Sequence, residues 1–484
     1  MRKLVPNVRK SLIVQLKFDG SKEIRYSPIK RFANVRSKNL FISLISVMVL
    51  LAGCNLAKDQ SAATVNGPVE VSKSLTANGD IKSKTSHASS KLMQAIFDNP
   101  TVARSFAAAK AASLQTEVVK SGKNSKLDFN GSAGLAGKSG QSAKEAGSAS
   151  VTAYRLLSDN GQTDLSIVAS GLAAEIVVLE AEIVFDDVLR SVLESYGEYN
   201  SALKKIDIID FYINAYEAQE NLVEAALQAG ALSNSDYLEL QSLKNDIFSD
   251  HAKSKLALSS AESFLRLTLG SKYSVAMLEL LSEFKAPKAP IFGVENSIPQ
   301  RIIELRRKQL ELEIDIQKRR GRPTSQWQAS ISSPESRTAK TSLFAGVTIV
   351  FPVKDGGEAE AQIAKISQDL ELTGLQQKAL GQETALSEQS WNNFVTYFKS
   401  QEILLIERKS ISEKRINELQ LRLKAGRSNV IDLAKEILAG AQAEIALIDL
   451  NTEYFLKSIS SLSATNQTCV LFNLCGSLPR EGSN

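Results

Sequence analysis

The chain has 484 residues with 58 Lys/Arg, 53 Asp/Glu and two histidines, for a formal charge of +5 at neutral pH. With so few histidines, no HExxH run, no C-x-x-C pair and no Ser/His/Asp grouping, little is available for acid–base or metal chemistry, so neither an enzyme nor a bound cofactor is expected. The positive excess sits in residues 1–53, where eleven Lys/Arg face two Asp/Glu; the rest of the chain is 5 − 9 = −4, which excludes nucleic-acid binding carried by overall charge.

Residues 40–53, Leu-Phe-Ile-Ser-Leu-Ile-Ser-Val-Met-Val-Leu-Leu-Ala-Gly, form an uncharged apolar run behind Arg36 and Lys38. The run is short for a membrane-crossing helix and has the proportions of a signal-peptide core. It closes on Leu51-Ala52-Gly53-Cys54, which is similar to a bacterial lipobox and implies cleavage before Cys54 and lipid on its thiol. A plain N-terminal anchor with an incidental cysteine is the alternative. Asn55, rather than Asp, follows the cysteine, which by the same resemblance favours the outer membrane. More than thirty residues precede the apolar run, so a start at Met1 and one near Val35 are both open.

Residues 54–91, rich in Ser, Ala, Asn, Lys and Thr, read as a flexible tether. The first structural half is expected over 92–295. It begins with Leu92-Met-Gln-Ala-Ile-Phe-Asp-Asn-Pro100 and an Ala-rich helix to about residue 120, then strands at roughly 126–135 and 149–158. From Leu172 to Gly230 there is no proline, and Phe185, Leu189, Val192, Tyr196, Tyr199, Leu203 and Ile206 alternate steps of four and three, a coiled-coil seam. Such a rod spans roughly 90 Å. A second half is expected over 296–465: a helix to about Arg320, strands at 324–332 and 342–353, a rod from Gly357 to Gly426 with Trp391, Phe394 and Phe398 on its seam, and a return arm marked by Ile445, Ile448, Phe455, Ile459 and Leu462. Residues 466–484 form a C-terminal tail. There Cys469 and Cys475 can close a small disulfide loop in an oxidising compartment, or remain free thiols.

The two halves are copies. Leu227-Gln-Ala-Gly230 and Leu423-Lys-Ala-Gly426 are offset by 426 − 230 = 196, and the same offset lays Thr152-Ala-Tyr-Arg-Leu-Leu-Ser-Asp159-Asn-Gly161 on Thr348-Ile-Val-Phe-Pro-Val-Lys-Asp355-Gly-Gly357. A period that long marks a duplicated half-protein rather than a solenoid repeat. Gly230 and Gly426 read as left-handed residues ending a helix and reversing the chain. The Asn160-Gly161 and Gly356-Gly357 turns, with Pro352 before the second, lack the G-x-x-x-x-G-K-S/T spacing of a phosphate loop and read as swivels between strand and helix.

Four strands of nine or more residues are long enough to cross a membrane when tilted, but an open four-stranded sheet would leave edge N–H and C=O groups in hydrocarbon, at several kcal/mol each. Self-assembly removes the edges, and three chains would give twelve strands.

These features together resemble the TolC-type outer-membrane efflux family. The resemblance rests on the lipobox at Cys54, on Phe344-Ala-Gly-Val-Thr-Ile-Val-Phe-Pro352-Val-Lys-Asp-Gly356-Gly357, and on the tip segments Leu227–Asp236 and Leu423–Asp432, in order over residues 92–465. It implies a mainly α fold with a small β part: a homotrimer whose twelve-stranded β-barrel is continued by an α-helical barrel. It implies an outer-membrane lipoprotein of a Gram-negative bacterium that reaches into the periplasm and serves as passive exit duct of a tripartite export system. The partners implied are a periplasmic adaptor and an inner-membrane transporter, with membrane lipid around the barrel and no nucleic acid. At the tips, Gly230, Leu232, Ser233, Gly426, Arg427, Ser428 and Asn429 are then expected to meet the adaptor. Asp432 matches an acidic position at the periplasmic entrance gate, whereas the next such position is Lys435, a departure from the family's doubled acid. An ordinary solvated first-turn carboxylate is the plainer reading of Asp432. A periplasmic coiled-coil lipoprotein that acts as scaffold or spacer, without spanning the membrane, is the alternative for the whole chain.

Overall fold

The computed structural model describes residues 92–136, 144–270, 297–333, 341–352 and 355–463, together with Tyr273, Leu281, Phe292 and Thr468. Cys54, Cys469, Cys475 and the expected leader and tether lie outside these residues.

After a short helical stretch at 92–97 come α1 (Pro100–Ser121), β1 (Lys126–Ala136), β2 (Lys144–Ser158), α2 (Gln162–Gln228) and α3 (Asn234–Leu269). The second half follows as α4 (Ile298–Arg320), β3 (Thr324–Ser333), β4 (Ser342–Val350), α5 (Glu358–Lys424) and α6 (Val430–Ser463). Both α2 and α5 have 67 residues, and their ends are offset by 358 − 162 = 424 − 228 = 196, so the duplication runs ungapped through the long rods. Each rod measures about 100 Å at 1.5 Å per residue.

Local chemistry explains the boundaries. Asn99 caps α1 by accepting from the Thr101 N–H at 3.0 Å, and Pro100 takes a first-turn position where no donor is needed. Ser297 caps α4 in the same way, with Pro299 next. The long helix α2 begins ten residues before Leu172, because the turn at Asp159 starts it and Gly171 lies where an added Cβ would meet nothing. Strand β2 starts at Lys144, earlier than side-chain alternation indicates, since backbone pairing with β1 carries it through the Gly/Ala/Ser stretch. Strand β4 stops at Val350 rather than 353; Pro352 has no N–H to give the ladder. At the matching place in the first half, Leu156 keeps its N–H, and β2 continues across a bulge to Ser158.

The sheet is antiparallel in the order β1-β2-β3-β4. Its register sets Phe129, Val151, Ile331 and Leu343 in one row across all four strands, and Leu127, Ala153, Ala329 and Ala345 in the next row of that face. The opposite face carries Asn130, Ser150, Ser332 and Ser342, so the pleat sorts one apolar and one hydroxyl-rich surface. Serine hydroxyls pair across strands on that polar face, Ser132 with Ser148 at 2.7 Å and Ser332 with Ser342 at 2.6 Å. On the apolar face Leu127, Phe129, Leu343, Val347 and Ile349 are all more than half exposed. Strands β1 and β4 are edges of the sheet among the described residues.

The helical core has two main clusters. One joins Leu92, Ile96 and Val102 to Phe185, Leu189, Val192 and Leu193 of α2; the other joins Ile209, Tyr216 and Val223 to Leu240 of α3 and to Leu433, Ile437 and Leu438 of α6. The seam of α2 therefore drifts. Phe185 to Tyr196 are buried as the spacing implies, but Tyr199, Leu203 and Ile206 are only half-buried. Buried positions resume at Ala202, Ile209, Tyr216 and Val223 in sevens, where the N-terminal segment no longer packs on α2, and α3 and α6, which share the first cluster with it, remain as partners. In the second half Trp391, Phe394 and Phe398 all pack on Tyr454 of α6, with ring centroids 5.7, 6.3 and 4.4 Å away.

Candidate functional site: sheet-to-helix turns, hairpin tips and their seam

The two sheet-to-helix turns are built alike. Asn160 and Gly161 have φ of 58° and 78°, and Gly356 and Gly357 have 71° and 85°. Two successive left-handed residues suit Gly and Asn, which explains why these types stand there. The preceding aspartate anchors each turn. Asp159 Oδ1 accepts from the Gly161 N–H at 3.0 Å and Oδ2 from the Thr163 N–H at 2.7 Å and the Thr163 hydroxyl. Asp355 accepts from the Gly357 and Ala359 N–H groups at 3.0 and 3.1 Å. For Asp159, burial pushes the carboxyl up, and the Thr163 hydroxyl with the Thr163 and Gly161 amides bring it below its ordinary value. For Asp355 the Gly357 and Ala359 amides lower it. The first turn is also tied to the second half: Asn160 Nδ2 donates to Pro323 O at 2.7 Å, and Arg319 Nη1 donates to Asn160 O at 2.8 Å. Pro352 is exposed and lies before the second turn rather than in it.

At the tips, Gly230 and Gly426 have φ of 70° and 68°. Each closes a Schellman motif. The Gly230 and Ala231 N–H groups donate to Leu227 O and Ala226 O at 3.0 and 2.9 Å; those of Gly426 and Arg427 donate to Leu423 O and Arg422 O at 3.0 and 2.8 Å. Ser233 caps α3, accepting from the Asp236 N–H at 3.1 Å. Asn429 is exposed but its side-chain oxygen accepts from the Ile431 N–H at 3.1 Å. Arg427 is exposed and Ser428 half-buried. Leu232 is not the exposed contact residue expected of it. It is 4 % exposed and packs in the cluster of Leu240, Val430 and Ile431, because the Schellman turn folds the chain back over the helix end. Asp432 is exposed in the first turn of α6 and makes no ion pair among the described residues.

Lys435 does what spacing alone did not reveal. It bridges the tips, with Nζ 2.5 Å from Glu239 Oε2 and 3.7 Å from Asp236 Oδ1, and its pKa is raised by the hydrogen bond it donates to Glu239. Higher up, α2 and α6 interlock through reciprocal notches. A Cβ at Gly197 would lie 2.7 Å from the Phe455 ring, and one at Gly440 would lie 3.0 Å from the Tyr212 ring. Between and beside these notches Lys205 pairs with Asp449, and the Tyr212 hydroxyl donates to Glu444 at 2.9 Å. Burial, followed by the bond to Glu444, pushes the Tyr212 hydroxyl well above its ordinary value.

Among the described residues no group of His, Cys, Asp and Glu is placed to hold a metal ion, and no helix is long and apolar enough to cross a membrane. A shallow groove of about 450 Å³ between α5 and α6 is lined by Gln382, Ser387, Ser390, Lys457 and Ser460, without convergent catalytic groups.

Matching residues of the two halves differ in exposure. On α2, Ile176 and Leu179 are 3 % and 4 % exposed under Leu305 of α4. Their counterparts on α5, Leu372 and Leu375, are 52 % and 55 % exposed. Leu114 and Val118 of α1 are likewise exposed, while the matching Leu310 and Ile314 of α4 are half-buried. The edge strands β1 and β4 adjoin α1 and α5, the helices that carry these exposed residues, in the chain.

No family model matches the sequence, and no curated protein does. Solved structures do match. The outer membrane protein VceC from Vibrio cholerae aligns at 12 % identity and TM-score 0.63, over 78 % of this chain and 96 % of that one. The MtrE outer membrane channel of Neisseria gonorrhoeae, in its open state, aligns at 14 % and 0.64, over 78 % and 88 %. The CmeC outer membrane channel of Campylobacter jejuni aligns at 10 % and 0.64, over 84 % and 94 %.

Proposed function

We propose that this chain, whose fold is that of the TolC-type outer-membrane channels, is the exit duct of a tripartite efflux system. Three copies close head to tail. Strand β4 of one pairs with β1 of the next to give twelve strands, and α5 of one receives α1 of the next to continue the helical tube. The apolar face of the sheet then meets lipid and the hydroxyl-rich face lines a wet lumen, the arrangement a membrane barrel requires. Substrates pass without chemical change, driven by an inner-membrane transporter through a periplasmic adaptor. On this reading the protein lies in the outer membrane of a Gram-negative bacterium, held by lipid on Cys54, and reaches into the periplasm. The exposed side chains at the two tips, Arg427 foremost, are the adaptor-facing surface. Asp432, exposed on α6, stands at the entrance, and the Asp159 and Asp355 turns mark the periplasmic boundary of the barrel.

The observation that carries this reading is the exposure of Leu372 and Leu375 where Ile176 and Leu179 are covered. The chain has built one junction between its halves and left the equivalent junction open for another copy. Leu372→Asp should therefore abolish the heat-resistant oligomer of the detergent-extracted protein while the protomer keeps its helical circular dichroism. An oligomer as heat-resistant as that of the unaltered protein would contradict the head-to-tail closure.

A further inference from the structure

Glu239 of α3 and Lys435 of α6 occupy the same place in the two halves, 435 − 239 = 196, and they are bonded to each other. Contact between two equivalent residues has a geometric consequence in a head-to-tail ring. At the junction inside a chain, position 435 of the second half reaches position 239 of the first. At the next junction the places are exchanged: Glu239 of the following copy stands where Lys435 stood, and reaches Lys435 of this chain. The same two side chains meet again, with opposite charge both times. Two acids or two bases at this pair of positions would repel at every junction, each like-charge contact costing rather than contributing.

Resting on the ring proposed above, we propose that the hairpin tips are laced by a closed circuit of three Glu239 and three Lys435 in alternation, the partner at every second junction being a second copy of this chain. The wider tips carry the same alternation. Residues 217–240 hold five acids and no base, whereas the matching 413–436 hold six bases and four acids, so each acidic tip in the ring has a more basic tip on either side. The two junctions are not identical. Inside the chain Lys435 has Asp236 as a second acid at 3.7 Å; between chains the incoming Glu239 finds Asp432 in that place, a like charge. The seam between chains is the weaker of the two, and it is where the ring of tips would part first. Lys435, the departure from a doubled acid noted in the sequence, is what permits the circuit.

Zero-length carbodiimide coupling of the full-length protein in mild detergent reads this directly. In trimers mixed from Glu239→Gln chains and Lys435→Arg chains no chain can join its own pair, so a Lys435–Glu239 amide should appear in tryptic peptides from the covalent dimer and trimer bands of a denaturing gel, while the unaltered protein should also give it from the monomer band. Glu239→Gln should remove it from all bands. Lys435→Arg, which keeps the charge but not the amine, should remove it while the native mass stays trimeric. A trimeric native mass with the joined peptide from the unaltered protein but none from the mixed trimers would overturn the circuit and leave the duct standing. A monomeric native mass would overturn the ring of copies and the circuit with it.

Discussion

Asp159 and Asp355 show how much one carboxylate decides at the residue scale. Each gathers amides at the start of a 67-residue helix, in a turn whose left-handed residues no ordinary side chain would choose. The Asp-x-Gly pattern was legible as a turn; the anchoring by the carboxylate was not, because spacing does not show where a side-chain oxygen points. Leu232 was misread for a related reason. A leucine two residues past a helix-ending glycine looks exposed in sequence, and only the Schellman geometry returns it to the core. Removing the Asp159 bonds by Asp159→Ala should cost about 1 kcal/mol. Hydrogen exchange at the Gly161 and Thr163 amides should speed up accordingly. Since the folded carboxyl lies below its ordinary 3.8, its contribution is complete above that value and is lost as pH falls through the folded value. The difference between mutant and parent should therefore vanish in acid below it. A difference that persists there would mean the turn does not depend on the ionised carboxylate.

At the scale of elements, the rods and their return arms were readable from three-and-four spacing, and the aromatic seam of α5 lies where that spacing puts it. The drift of α2 was not readable, since periodicity reports that a helix has a buried face and not when its partner changes. The notches between α2 and α6 have a hidden signal: Gly197 to Tyr212 and Gly440 to Phe455 are both fifteen residues, the register of two antiparallel helices. Filling one notch forces the Phe455 ring aside, so Gly197→Ala should cost about 1–3 kcal/mol. Denaturant unfolding would show it, and Phe455→Ala in the same chain should recover part of the loss by vacating the space. A loss unchanged by Phe455→Ala would place the strain elsewhere.

For the whole molecule, the duplication was the strongest signal in the sequence, and α2 and α5 have the same length, 67 residues. What the sequence could not show is that one junction between halves is made inside the chain and its equivalent is left open. That asymmetry shows as a difference in exposure between matching apolar residues, Ile176 and Leu179 against Leu372 and Leu375, which the sequence presents as residues of the same kind. The head-to-tail ring and the joining of β4 to β1 that we propose rest on it. The leader, Cys54 and the cysteines at 469 and 475 keep their sequence-based expectations.

Planar-bilayer conductance of the purified, detergent-extracted protein, with its mass taken from the same preparation, tests the exit duct most directly. A trimer that inserts and opens discrete channels is the predicted result. A monomeric rod that never inserts would contradict it, and would favour a periplasmic coiled-coil lipoprotein whose four strands do not form a barrel.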